Sequence, residues 1–150
     1  MLVYSTPPKE WTILPSRVGK IQVGHIVPLS VFTQRPTFYQ GMYADNLPEI
    51  VLHLQKADIK IGLEYLIFVR AIYPGKDIKT EQNTGTGSTL KELKSAHGTL
   101  DLYHIPEPYM CSVTTPTLPN VYFQFTSCDD AKMNGKVARV ILWWRDHKLA

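Results

Sequence analysis

The sequence lacks most of the signatures that announce a chemistry. No apolar run approaches the 18 or so residues that a membrane span needs. There is no Gly-x-x-x-x-Gly-Lys-Ser/Thr loop, no Gly-x-Ser-x-Gly elbow and no Cys-x-x-Cys pair. These absences argue against a P-loop, a hydrolase nucleophile elbow and a zinc ribbon or dithiol redox motif. Of the five histidines, His25, His53, His97, His104 and His147, none stands two or four residues from another. A metal site would therefore have to be assembled across strands.

Charge of one sign is also scarce. There are 16 Lys+Arg against 13 Asp+Glu, a net +3 with no basic block. The densest stretches, Lys56 with Lys60, Lys91 with Lys94 and Lys132 with Lys136, are each interrupted by apolar or acidic residues. They read as solvated faces, with Lys91, Lys94, Lys132 and Lys136 as a weak nucleic-acid candidate. No basic N-terminal arm is present, which argues against a genome-packaging coat, because each phosphate contact needs a cation.

Cysteine is nearly absent. Cys111 and Cys128 flank the segment 112–127. That segment can form a hairpin-like excursion and a disulfide is geometrically open to the pair, but a chain of this length needs none to hold its core, so free, reduced thiols and folding inside the cell are expected. The opening Met1-Leu2-Val3-Tyr4-Ser5, followed by Pro7-Pro8-Lys9, has neither a basic n-region nor a long apolar h-region. No secretion signal is read there, and the expected location is intracellular or in a virion.

What is present is strand patterning. The 150 residues form one domain's length, and the 44% apolar share separates the chain from disordered sequences. Ile21, Val23, His25 and Val27 point one way if extended. The segment 65–73, Tyr-Leu-Ile-Phe-Val-Arg-Ala-Ile-Tyr, is apolar on both faces except for Arg70 and ends at Pro74-Gly75. It reads as a central strand. Leu100, Leu102 and His104 alternate with Asp101 and Tyr103 until Pro106 and Pro108 end the strand. Val121–Phe125 and Val137–Trp144 read as a hairpin across a connection ending in Asn134-Gly135. Within that connection, Asp129-Asp130 reads as turn chemistry.

Helix signals are few. Thr89 and Glu92 fit a capping box, Leu90 and Leu93 share one face, and Gly98 stands at the C-cap position. These predict a helix over Leu90–Ala96. The stretch Leu47–Gln55 reads either as a short helix or as a strand. The 76–88 loop contains Gln82–Ser88 without an apolar residue and is expected to be mobile. Eleven prolines punctuate the chain, and many lie between the proposed strands. The predicted fold is therefore all-β: a single-domain antiparallel β-sandwich over 1–150, jelly-roll-like, with one or two short helices.

Gly24-His25-Ile26-Val27-Pro28-Leu29-Ser30 resembles the first element of the HNH nuclease family, roughly Asp-His-Ile-x-Pro-Leu. Asp45-Asn46-Leu47 resembles that family's Asn-Leu element, with His53 seven residues after Asn46. The resemblance implies His25 as general base, Asn46 orienting it and His53 as a metal ligand. Gly24 stands where the family places a metal-binding residue.

Trp143-Trp144 carries a different reading. Adjacent strand residues face opposite sides, so one indole enters the core while the other joins Tyr122 on an outer aromatic patch. Arg139 and Arg145 belong to the same proposed interaction surface. No catalytic set emerges and no cofactor is expected. The leading expectation is a non-enzymatic structural or assembly protein, such as a small viral coat, matrix or accessory protein. It would form homo-oligomers, or bind another structural protein or nucleic acid, through that aromatic face. The alternatives are a binding module for carbohydrate or single-stranded nucleic acid, and a degenerate HNH-like nuclease centred on His25.

Overall fold

A computed structural model describes residues 11–42, 48–64, 67–105 and 109–144. Three two-residue strands, β1 (Ile13–Leu14), β2 (Arg17–Val18) and β3 (Ile21–Gln22), form a small antiparallel sheet. A 3-10 helix, Leu29–Gln34, leads into β4 (Thr37–Met42). Then come β5 (Pro48–Leu54), β6 (Ile59–Glu64), β7 (Phe68–Pro74) and helix α1 (Leu90–His97). The chain continues through β8 (Asp101–His104), β9 (Cys111–Thr114), β10 (Val121–Phe125), helix α2 (Cys128–Lys132) and β11 (Arg139–Trp143).

The last eight strands make one antiparallel sheet in the order β4-β5-β6-β7-β11-β10-β9-β8. The all-β, sandwich-like class is thus the observed one. Its likeness to a jelly roll is one of class: the path is two four-stranded meanders joined where β7 pairs with β11. β7 is central, as its two-sided apolar pattern requires. Tyr65 and Leu66, at the start of the predicted strand, lie outside the described residues, as do Pro106 and Pro108. The hairpin of β10 and β11 pairs Val121 with Leu142 and Gln124 with Arg139.

One face of the large sheet carries the core. Leu52, Leu54, Ile59, Ile61, Ile72, Val113, Val121, Phe123, Phe125, Val140 and Leu142 share one buried cluster with Ile13, Val18 and Ile21 of the small sheet. Leu93 of α1 joins them. Thr89 caps α1 by accepting a hydrogen bond from the Glu92 N–H, while Glu92 accepts from the Thr89 N–H, so the capping box is complete.

Four expectations change. The Leu47–Gln55 alternative resolves as strand: 48–54 is β5, held by β4 and β6 on its two edges, and Leu47 lies outside the described residues. His25 does not continue a strand. Gly24 has a left-handed φ of +82°, which turns the chain and leaves His25 exposed while Val23 and Val27 are buried. The 76–88 loop is not loose. Its polar groups satisfy one another: Thr80 and Thr84 share a 2.7 Å bond, Thr84 bonds His97 Nε2 at 2.7 Å, and Gly85 N–H donates to Ser88. Ile78 anchors it in the core.

The cysteines are bonded to each other, not free. The pairing of β9 with β10 brings the first residue of β9 and the first residue of α2 to a Cα separation of 4.9 Å, inside the range a disulfide spans. Among the described residues, no helix is long and apolar enough to cross a membrane.

Candidate interaction face

The second face of the eight-stranded sheet has a different composition. Val51, Ala71 and Ile141 are buried there, yet stand apart from the main core cluster. Strand parity and register place Glu49 and His53 of β5, Lys60 and Gly62 of β6, and Tyr73 of β7 beside them. Arg139 and Trp143 of β11, Tyr122 and Gln124 of β10, and Ser112 of β9 complete the surface.

A polar ladder in two separate runs lies on this face. Tyr73 Oη donates to Glu49 Oε1 at 3.2 Å. Gly62 and Ala71 form the floor beneath them; a Cβ at Gly62 would collide with Glu49 Oε2. Further along, Arg139 Nε donates to Gln124 Oε1 at 2.6 Å, and Gln124 Nε2 donates to Ser112 Oγ at 3.1 Å. Glu49, Gln124 and Ser112 are all buried. Buried polar groups are stable only when hydrogen-bonded, so each member fixes its neighbour's rotamer. Burial pushes the Arg139 pKa below its ordinary value, opposed by the nearby Tyr109 and Tyr73 hydroxyls. The guanidinium remains charged at neutral pH.

Cation–aromatic stacking is the second theme. Between Gly62 and Leu63 the register of β6 with β7 shifts, so Arg70 is an extra, bulged residue. The bulge aims its guanidinium over Trp143, 4.9 Å from the ring centroid, and within 3.7 Å of Glu64. Arg139 lies 4.4 Å over Tyr109, and Lys60 lies 5.9 Å from the Tyr39 centroid. Such pairs order long side chains that would otherwise be mobile.

Of the residues proposed from sequence, Trp143, Tyr122 and Arg139 share this face. Trp144 does not: it packs against the main core and over Gly24. Arg145 lies outside the described residues. Lys91 and Lys94 are on α1, whose Leu93 enters the core on the opposite side of the sheet, and Lys132 ends α2. All three are exposed. Lys136, also exposed, neighbours Glu92. These lysines therefore do not surround the aromatic residues. Asp129 and Asp130 open α2 behind the Ser127 cap, where carboxylates favour the helix dipole.

The nuclease residues are not gathered. The His25 carbonyl accepts from Val69 N–H at 2.8 Å, at the edge of β7. His53 lies two strands further, on β5, with Nε2 3.6 Å from Asp58 Oδ1. Three strand spacings of roughly 4.8 Å put about 14 Å between them, too far to share one metal ion. Asn46 lies outside the described residues. Sequence reasoning missed Arg70, Glu49, Tyr73, Gln124 and Ser112; only Arg70, the one charge in an otherwise apolar segment, gave a signal.

Comparison with known protein families, with curated proteins and with solved structures finds no match.

Proposed function

We propose that this chain is a non-enzymatic assembly protein that associates with copies of itself through the Trp143 face of its large sheet. The observation that carries the reading is the composition of that face. It holds Trp143, Tyr122, Tyr73, Arg70 and Arg139 around a buried apolar stripe outside the main core. Trp, Tyr and Arg are the residues that dominate binding energy at protein interfaces. The rotamers of Trp143, Tyr73, Arg70 and Arg139 are held by the ladder and the stacks, so little of their side-chain entropy remains to be lost on docking. A compact all-β unit of this kind suits a viral coat, matrix or accessory role.

The disulfide bears on location. Bonds of this kind persist in oxidising surroundings, which supports folding or residence outside a reducing cytoplasm.

Light scattering across a concentration series tests the proposal. The wild-type chain is expected to form a closed oligomer or larger particle, and Trp143→Ser to lower its mass. A strictly monomeric wild type, or an oligomer indifferent to Trp143→Ser, overturns it.

A second reading draws on the Arg70–Trp143 and Arg139–Tyr109 stacks, which resemble the platforms used by single-stranded nucleic-acid binders. Binding of a homopolymeric oligonucleotide that weakens steeply with salt supports it. Absence of binding at low salt removes it.

A further inference from the structure

We infer that β4 is a dimerisation edge, on which β4 of a second copy of the chain adds as an antiparallel strand. β4 is the outermost strand in the order of the described sheet. Its inner edge pairs with β5 over all six residues, without a break, from Thr37–His53 to Met42–Pro48. Its outer row of backbone N–H and C=O groups faces away from the sheet. Such a row is a template for another strand, and proteins ordinarily guard it with a lysine, a proline, a bulge or an inward charge. β4, with the sequence Thr-Phe-Tyr-Gln-Gly-Met, contains none of these.

The strand is also apolar where solvent meets it. Residues 37–40 are exposed in succession, although their side chains alternate between faces. Phe38, on the core side, is 58% exposed and stacks on Phe32, 39% exposed, at a centroid distance of 6.4 Å. Tyr39, on the other side, is 43% exposed. An added strand would cover aromatic surface on both faces at once.

Charge and symmetry point to a second copy as the occupant. Antiparallel pairing of identical strands requires a two-fold axis normal to the sheet, which keeps each face on its own side. Tyr39 then meets its own copy, with Phe38 against Gln40; or Gln40 meets its own copy, with Tyr39 against Gly41. Any charge on the strand would stand beside its own like, a destabilising arrangement. β4 carries no charge, so of the two edges of the large sheet it is the one that satisfies that condition. The opposite edge, β8, is shorter and carries an exposed Asp101. This contact is separate from the Trp143 face and does not depend on it.

The test uses the full chain and two readouts. In sedimentation velocity over a concentration series, the wild type is expected to show a dimer. Gln40→Lys should weaken it by about tenfold or more, because two lysines meet near the axis. Trp143→Ser should leave this step unchanged. In the second readout, Tyr39→Cys and Gln40→Cys are oxidised separately. Cα atoms facing across an antiparallel pair stand about 4.5–5.5 Å apart, within disulfide reach. One of the two is expected to give covalent dimer much faster than Tyr103→Cys on β8. A wild type that stays monomeric, or a dimer lost in Trp143→Ser but intact in Gln40→Lys, overturns the inference. So does cross-linking of both β4 cysteines no faster than the β8 variant, which would assign the edge to the chain's own segments or to a different protein.

Discussion

The indole of Trp144 covers the α-carbon of Gly24 so closely that a Cβ there would stand 2.7 Å from Cε3 of the ring. The same glycine holds a left-handed φ of +82°, and its N–H donates to the Val69 carbonyl at 2.8 Å. Trp144 N–H in turn donates to the Arg70 carbonyl at 2.8 Å. The turn after β3 and the end of β11 thus meet on adjacent carbonyls of one strand. Packing accounts for a glycine at the position where the nuclease pattern has a ligand.

Gly24→Ala should therefore be costly. The left-handed backbone contributes about 1–2 kcal/mol, and overlap with the indole about 1–3 kcal/mol. Urea unfolding should show a loss of about 2–5 kcal/mol in all. The double change Gly24→Ala/Trp144→Ala should cost less than the sum of the two single changes, because the indole is then absent.

Acid should destabilise the fold through His97. Burial holds the folded-state pKa of this ring below its ordinary value, and Nε2 is shared with Thr84. The unfolded chain takes up a proton near pH 6.5, while the folded chain does so only at lower pH. Below about pH 6.5 the unfolded state thus binds more protons, so stability rises with pH across this window. The contribution is complete above the unfolded pKa and lost as pH falls toward the folded one. Urea midpoints at pH 5 and 7.5 should differ in the wild type and converge in His97→Gln. Glu92 acts in a separate, more acidic window, since its bonds to Thr89 lower its pKa.

The pairing of β9 with β10 places Cys111 and Cys128 together, and their bond closes a loop across β10. Reduction, or the pair of changes Cys111→Ala and Cys128→Ala, should lower stability by about 2–4 kcal/mol. Chemical denaturation with and without reductant measures this directly. An unchanged midpoint would mean that α2 is held by Ala131 and the Ser127 cap alone.

How much of this was legible depends on the range of the cause. The β10–β11 hairpin, the capping box of α1 and the opposed faces of Trp143 and Trp144 follow from neighbours a few residues apart. Strand period and cap chemistry are local, so the sequence displays them. The polar ladder is not local: one run joins β7 to β5 through Tyr73 and Glu49, the other joins β11, β10 and β9 through Arg139, Gln124 and Ser112, and their order exists only once the strands have been laid side by side. Arg70 reaches Trp143 through a one-residue register shift, which leaves no mark in the alternation of the strand itself. The 76–88 loop misled for a related reason. Polar composition suggests solvent, but Thr80 and Thr84 bond each other, Thr84 bonds His97, and the Ser88 hydroxyl accepts from the Gly85 N–H.

The seam between β7 and β11 has a consequence for how the chain is made. A ribosome delivers β4 to β7 first, as a complete meander whose last strand has nothing along most of its outer edge until Ile72 meets Leu142 and Ala71 meets Trp143. Both halves of the sheet therefore wait on one of the last strands to emerge. Closure of so long a loop is slow compared with a hairpin. During that interval the apolar residues of β7 are what a chaperone or a neighbouring nascent chain would find.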